Sequence, residues 1–149
     1  LRIGIANPQD AVMRPALDME LGFYASADYL RDHGAPADIA AATRLIGPQR
    51  PELRRLVERL LDGRVLPPFH ITVDDFVFIL ELVRLGQGIG LLPGSLCKAG
   101  VASGVLVQVF PDVLSVSVRL HLTYPSRADI SPKVKAFADI LARHLETAV

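Results

Sequence analysis

Residues 74–93 read DDFVFILELVRLGQGIGLLP, and this stretch predicts a helix, a glycine stop and a short buried strand. Apolar side chains recur at helical spacing, at Phe76, Ile79, Leu80 and Val83. Gly86 stands where a helix often ends in a left-handed residue, and the apolar run after it ends at Pro93. A well-defined helix start followed by a buried strand is typical of a cleft that binds a small ligand.

The residues before this helix are candidate ligand-binding residues. Thr72 stands at the expected N-cap, and Asp75 follows it as an approximate capping box. Free backbone N–H groups at the start of such a helix can receive a ligand carboxylate. The alternative is that Thr72 and Asp75 only cap each other, and the charge of Asp74 also opposes an anionic ligand. The sequence leaves both interpretations open.

The spacing Gly86-x-Gly88-x-Gly90 raises the question of a nucleotide-binding loop. A dinucleotide-binding fingerprint follows a strand and opens a helix, whereas these glycines close a helix and open a strand. They therefore predict a helix stop and close packing, and we expect no cofactor.

Composition describes a globular chain of 149 residues, enough for one ordinary domain or two small lobes. Because 16 basic residues balance 16 acidic ones, the charge expected of a nucleic-acid-binding surface is missing. The single cysteine, Cys97, fits a reducing, cytoplasmic compartment, and no apolar run suggests a membrane span. The chain begins at Leu1 rather than at a methionine, so we expect it to be a piece of a longer protein.

The residues on either side of the central stretch predict alternating strands and helices. Residues 17–25 alternate and predict a strand, preceded by an extended stretch that Pro15 breaks. Ser26 is expected to cap a short helix. Residues 105–110 and 116–124 predict two further strands, followed by a closing helix with the apolar residues Val134, Phe137, Ile140, Leu141 and Leu145. Such alternation is typical of an α/β fold.

The segment 51–66 carries two conflicting signals. The leucines and valine at positions 53, 56, 57, 60 and 61 give a helical period. Asp62-Gly63, between two short apolar runs, is instead a β-hairpin signal. We favour the hairpin.

Five short motifs resemble those of LysR-type transcriptional regulators. They are LRIG at 1–4, ASADYL at 25–30, GQGIGLLP at 86–93, SGVLVQVFP at 103–111, and YPSR with SPKVKAF at 124–137. Their order follows the family pattern over nearly the whole chain. The sequence departs from it at Ala27, where the family often has proline, and at 51–66, where the family usually runs extended but this chain has a helical period.

The resemblance implies the effector-binding (substrate-binding) domain, an α/β, periplasmic-binding-protein-like type 2 fold of two lobes with a small molecule between them. Residues 1–17 would be a remnant of lobe I, residues 18–122 a complete lobe II, and residues 123–149 the C-terminal return to lobe I. The rest of lobe I and a DNA-binding winged helix would precede Leu1. With lobe I incomplete, Phe137 on the closing helix should be covered by a neighbouring chain or by further sequence, and a solvent-exposed Phe137 in a monomer would count against the assignment.

The resemblance also implies roles for particular residues. Thr72, Val73 and Asp74 would face the cleft, and Tyr124, near a lobe crossing, would line it unless it is a plain core tyrosine. The family dimerises through a helix of lobe II, which assigns a dimer interface to Phe76, Ile79 and Val83, although the same face also fits a core.

Other chemistry finds little support in the sequence. His70 and His121 each stand alone, without the second ligand that a metal site needs, and no Ser-His-Asp order or carboxylate pair stands out, so we expect neither a metal site nor an enzyme.

We therefore expect a cytoplasmic ligand-sensing domain, a homodimer or tetramer, that reaches DNA only through the winged helix. Its effector would be a small molecule, a carboxylate or an aromatic, that shifts the population of domain arrangements. The alternatives are a solute-binding protein fragment of a transporter and an enzyme on the same fold.

Overall fold

The computed structural model describes residues 11–114, 116–125 and 131–147. In these residues the strands are β1 (Ala11–Ser26), β2 (Leu45–Gly47), β3 (Ile71–Thr72), β4 (Ile89–Pro93), β5 (Leu106–Val109) and β6 (Val116–Pro125). The helices are α1 (Ala27–His33), α2 (Pro51–Leu60), α3 (Phe76–Arg84), α4 (Gly94–Ala102) and α5 (Pro132–Thr147). The mixed α/β class predicted from the sequence is confirmed.

The chain divides into two units. The terminal unit comprises Leu1–Met19 and Val118–Val149, and the central unit comprises Glu20–Ser117. The sequence places the lobe boundaries after residues 17 and 122, whereas the units divide after residues 19 and 117.

The central unit is built on a sheet with the strand order β3-β2-β4-β1-β5. Strand β2 runs parallel to β3 and β4, and β1 runs antiparallel to β4 and β5. Strands β2, β3, β4 and β5 therefore point the same way and end at one edge of the sheet. We call it the carboxyl edge; the last residues of these strands are Gly47, Thr72, Pro93 and Val109.

The central stretch folds as a helix and strand in close contact. Ile79 and Val83 of α3 are fully buried, and a methyl group built on Gly90 would lie 2.5 Å from Val83 Cγ2. Gly90 thus allows α3 to pack directly on β4. Gly86 has φ +70° and ends the helix in the left-handed region, as predicted.

The terminal unit contains α5, which begins as the sequence predicts. Ser131 Oγ accepts a hydrogen bond from Val134 N at 3.4 Å, and Pro132 is the first helical residue. The side chains of Val134, Phe137 and Ile140 are 45%, 66% and 59% exposed. Most of the predicted apolar face that the structure describes is therefore open in the single chain.

The expected hairpin in 51–66 is wrong, because α2 occupies Pro51–Leu60. Proline fits the first turn of a helix, and the helical period buries Val57. Asp62 and Gly63 do adopt the positive φ values of a tight turn, 47° and 82°. The turn follows a helix instead of joining two strands.

Two smaller predictions also need correction. Thr72 is not the N-cap of α3: it lies in β3, and Asp75 caps the helix instead. Pro15 does not break the first strand, since β1 runs unbroken from Ala11 to Ser26. The fixed φ of proline is compatible with an extended chain.

Candidate functional site

Three helices start at the carboxyl edge of the central unit. Helices α2 and α3 begin shortly after β2 and β3 end, and α4 begins directly after β4. In α/β sheets, ligands bind beyond the carboxyl ends of parallel strands, where helix N-termini offer free N–H groups. This edge is therefore the candidate functional site.

The corner between β3 and α3 is largely satisfied by its own chain. Asp75 Oδ1 accepts hydrogen bonds from Val77 N at 2.7 Å and from Phe78 N at 3.1 Å. The amide of Val73 donates to Gly47 O at 3.0 Å. Some backbone amides at this corner are therefore already hydrogen-bonded within the chain. A ligand would contact the side chains here more readily than these amides.

The structure brings the three predicted residues of this corner together at the carboxyl edge. Thr72 and Asp74 are exposed and Val73 is half-buried. Asp74 Oδ1 lies 3.7 Å from Arg50 Nε, just before α2, and both side chains are about half exposed, at 55% and 53%. Sequence reasoning missed Arg50; the only signal was its position before the helix-opening Pro51.

Tyr124 belongs to the other unit of the chain. It lies in β6, within the terminal unit. Its side chain is outside the described residues, so its place in a ligand site stays a prediction.

The three predicted dimer residues contact the core of the central unit, and other residues of α3 are exposed. Ile79 and Val83 are fully buried in the central unit and Phe76 is half-buried against the same core, so they pack within the chain rather than on a free face. The apolar side chains that α3 exposes are Val77 and Phe78, at 58% and 56%. Helical periodicity identifies the apolar face but does not say which part neighbouring elements cover.

The thiol of Cys97 is buried in α4, and burial raises its pKa to about 12. A thiol that holds its proton so firmly is a poor nucleophile. Among the residues that the structure describes, no three His, Cys, Asp or Glu side chains form a metal-binding group. No helix in the same ranges is long and apolar enough to cross a membrane.

Comparison with protein families gives one match over almost the whole chain. The family model described as "LysR substrate binding domain" covers residues 1–146. A curated relative, the LysR family substrate binding domain-containing protein YagP of Escherichia coli, is 31% identical over 70 residues. That alignment covers 47% of this chain and 52% of YagP, so the chain spans about half the length of this relative.

Solved structures share the fold. The regulatory domain of CrgA, a LysR-type transcriptional regulator from Neisseria meningitidis, gives a TM-score of 0.76 at 23% identity, with 97% of this chain and 73% of that one covered. The effector domain of the transcriptional regulator AmpR of Pseudomonas aeruginosa gives 0.70 at 21% identity, covering 98% and 70%. Full-length AphB of Vibrio cholerae gives 0.73 at 20% identity, covering 94% and 49%. The fold is thus the periplasmic-binding-protein-like type 2 fold of these regulatory domains.

Proposed function

The chain belongs to the LysR substrate binding domain family, and on that premise we propose that it is the effector-sensing domain of a transcriptional regulator. A small molecule binds at the carboxyl edge of the central unit and shifts the equilibrium between arrangements of the regulator. The domain contributes to oligomer formation. DNA is contacted by a winged helix that is not in this chain.

The observation that carries this proposal is the common start of α2, α3 and α4 at one sheet edge. Their N-terminal dipoles point partial positive charge at the same region, and Thr72, Asp74 and Arg50 add exposed polar groups there. The helix N-termini at this edge attract negative charge, and the exposed polar side chains can orient a small polar molecule there. Asp74 offsets part of this positive field, which weakens the attraction for an anionic group.

The alternatives receive less support. A transporter's solute-binding protein is not favoured, since the family match is to a regulator's domain. We propose no catalytic role, because the regulator family is defined by effector binding rather than by turnover.

The test is a thermal-shift screen of small carboxylates and aromatic acids on the full-length regulator. A ligand that binds the native state raises its melting temperature in proportion to the logarithm of its concentration over Kd. We expect at least one such ligand, and we expect Thr72→Ala and Asp74→Asn to reduce its effect.

Asp32→Asn is the matched control. Asp32 is also an exposed carboxylate with a loose arginine contact, at 3.6 Å from Arg31 Nε, but it lies on α1, away from the carboxyl edge. An effector whose melting shift is unchanged by both carboxyl-edge variants would contradict the proposed site.

A further inference from the structure

A second corner of the carboxyl edge, between β4 and α4, has features that the α3 corner lacks. The N-cap of α4 is Pro93, and it supplies no side-chain hydrogen bond to the helix. The amides of Ser95 and Leu96 in the first turn therefore lack the kind of cap that Asp75 gives α3. Ser95 itself is exposed.

An independent feature is the side chain of Tyr24, which is aimed at this turn. Tyr24 is 6% exposed, yet its hydroxyl forms no hydrogen bond with any residue that the structure describes. A methyl group built on Gly94 would lie 3.2 Å from Tyr24 Oη, which places the hydroxyl beside the first residue of α4. The hydroxyl is not fully buried, because Arg44 Nε is the one fully buried side-chain atom without a hydrogen-bond partner among the described residues, so solvent or a ligand can reach the phenol.

A third donor lies on the neighbouring strand. Gln108 pairs with Tyr24 across β1 and β5. A methyl group on Gly22 would lie 3.1 Å from Gln108 Nε2 and 3.3 Å from Tyr24 Oη. Gly22 therefore leaves a small space with the side-chain amide on one side and the phenol on the other.

The polar groups described at this corner act as hydrogen-bond donors to a ligand. Burial, then the charges of Cys97 and Glu20, raise the pKa of Tyr24, so the phenol keeps its proton at neutral pH. The amides of α4 are also donors, and the helix dipole favours a partial negative charge beside them. The nearby charge of Glu20 opposes an anionic ligand at this corner.

We propose that Tyr24, Gln108 and the first turn of α4 form a subsite that binds an acceptor oxygen of the effector, from a carboxylate or a neutral carbonyl group. This inference rests on the proposed effector-sensing function and adds to it a site that the sequence did not indicate. The subsite lies at the carboxyl edge, in the same unit as the Thr72–Asp74 corner.

The test is a titration of the ¹⁵N-labelled chain with sodium acetate and, separately, with acetamide, at constant ionic strength. We expect the Ser95 and Leu96 amide resonances to shift and saturate with at least one probe. Acetate alone identifies a carboxylate subsite, and acetamide alone identifies a neutral carbonyl subsite. The absence of saturable shifts at these amides with both probes would overturn the proposal.

Two variants separate binding from folding. Tyr24→Phe removes only the unpartnered hydroxyl, so the melting temperature should be unchanged while probe affinity falls about threefold to tenfold. Gly94→Ala should weaken binding by narrowing the space. Tyr29→Phe is the control, because Tyr29 is equally buried, at 5%, but stacks on His33 in α1. Equal affinity in the wild type and in Tyr24→Phe would also overturn the proposal.

Failure here is distinguishable from failure of the proposed function. If the full-length regulator has an effector whose melting shift survives Tyr24→Phe but not Thr72→Ala, the sensing function stands and this subsite does not. If the effector's melting shift is instead reduced by Tyr24→Phe as well as by Thr72→Ala, both the sensing function and the subsite stand.

Discussion

At the residue scale, Cys97 gives the clearest link between burial and pH. Its thiol pKa rises from 9.0 to about 12 because burial disfavours the thiolate. Below pH 9.0 the thiol is protonated in the folded and unfolded states alike, and stability is unaffected. Above it, only the unfolded chain releases the proton, so the free energy of unfolding falls by about 1.4 kcal/mol per pH unit.

The measurement is urea unfolding between pH 8 and pH 11 for the wild type and Cys97→Ala. We expect the variant to be less stable at pH 8, because it leaves a small cavity, but to lose less stability as the pH rises. Parallel pH profiles for the two proteins would show that the thiol does not titrate as its burial implies.

Asp74 and Asp75 are neighbours with different expected contributions to stability. Asp75 accepts two hydrogen bonds from the first turn of α3, whereas Asp74 makes one exposed ion pair at 3.7 Å. Asp75→Ala should therefore lower the free energy of unfolding by about 0.5–2 kcal/mol. Asp74→Ala should lower it by less than about 1 kcal/mol, since exposed ion pairs contribute little.

Chemical denaturation of both variants in the same buffer checks this. A larger loss in Asp74→Ala than in Asp75→Ala would mean that the N-cap was assigned to the wrong residue.

At the element scale, the sequence predicts helices and strands well where one signal dominates. The helix and strand of residues 74–93 are found almost as expected, because periodicity, the glycine stop and the buried run agree. Residues 51–66 carried two signals, and the helix prevailed because its apolar stripe buries Val57 and Leu61. Local turn chemistry at Asp62-Gly63 was recognised correctly, but it does not determine what precedes the turn.

The contact between α3 and β4 makes a prediction about Gly90. A methyl group there would lie 2.5 Å from Val83 Cγ2 and 3.0 Å from Ile79 Cγ2. Gly90→Ala should therefore lower the free energy of unfolding by about 1–3 kcal/mol through overpacking. A double-mutant cycle with Val83→Ala tests the cause, because removing the opposing methyl groups should make the double variant more stable than the sum of single losses implies. Strict additivity would contradict a direct contact.

At the scale of the whole molecule, the candidate site shows where sequence reasoning stops. A strand-to-helix corner is a local pattern, so the sequence can offer Thr72, Val73 and Asp74 as candidates. It cannot offer Tyr24 and Gln108, because their approach depends on strand register and on two glycines distant in sequence. The family resemblance supplied the fold, but no motif in it singled out the α4 corner.

The exposed apolar face of α5 is interpreted differently once the family is known. On the sequence argument alone, exposure of Phe137 counts against the assignment; the match over residues 1–146 overrides that objection. Val134, Phe137 and Ile140 nevertheless remain exposed in the single chain. Exposed apolar side chains clustered on one helix face promote association in water.

We therefore predict that the chain as it stands self-associates through α5. Phe137→Ser with Ile140→Ser should shift sedimentation velocity profiles toward the monomer at a given concentration, because the apolar area available for burial is smaller. Val77→Ser with Phe78→Ser is the matched control, since those side chains are similarly exposed on α3 of the central unit. A shift in the control but not in the α5 variant would assign association to α3, the helix that the family resemblance implies. If the sedimentation profile of the wild type does not change with concentration, the apolar face of α5 does not drive association, and the prediction is wrong.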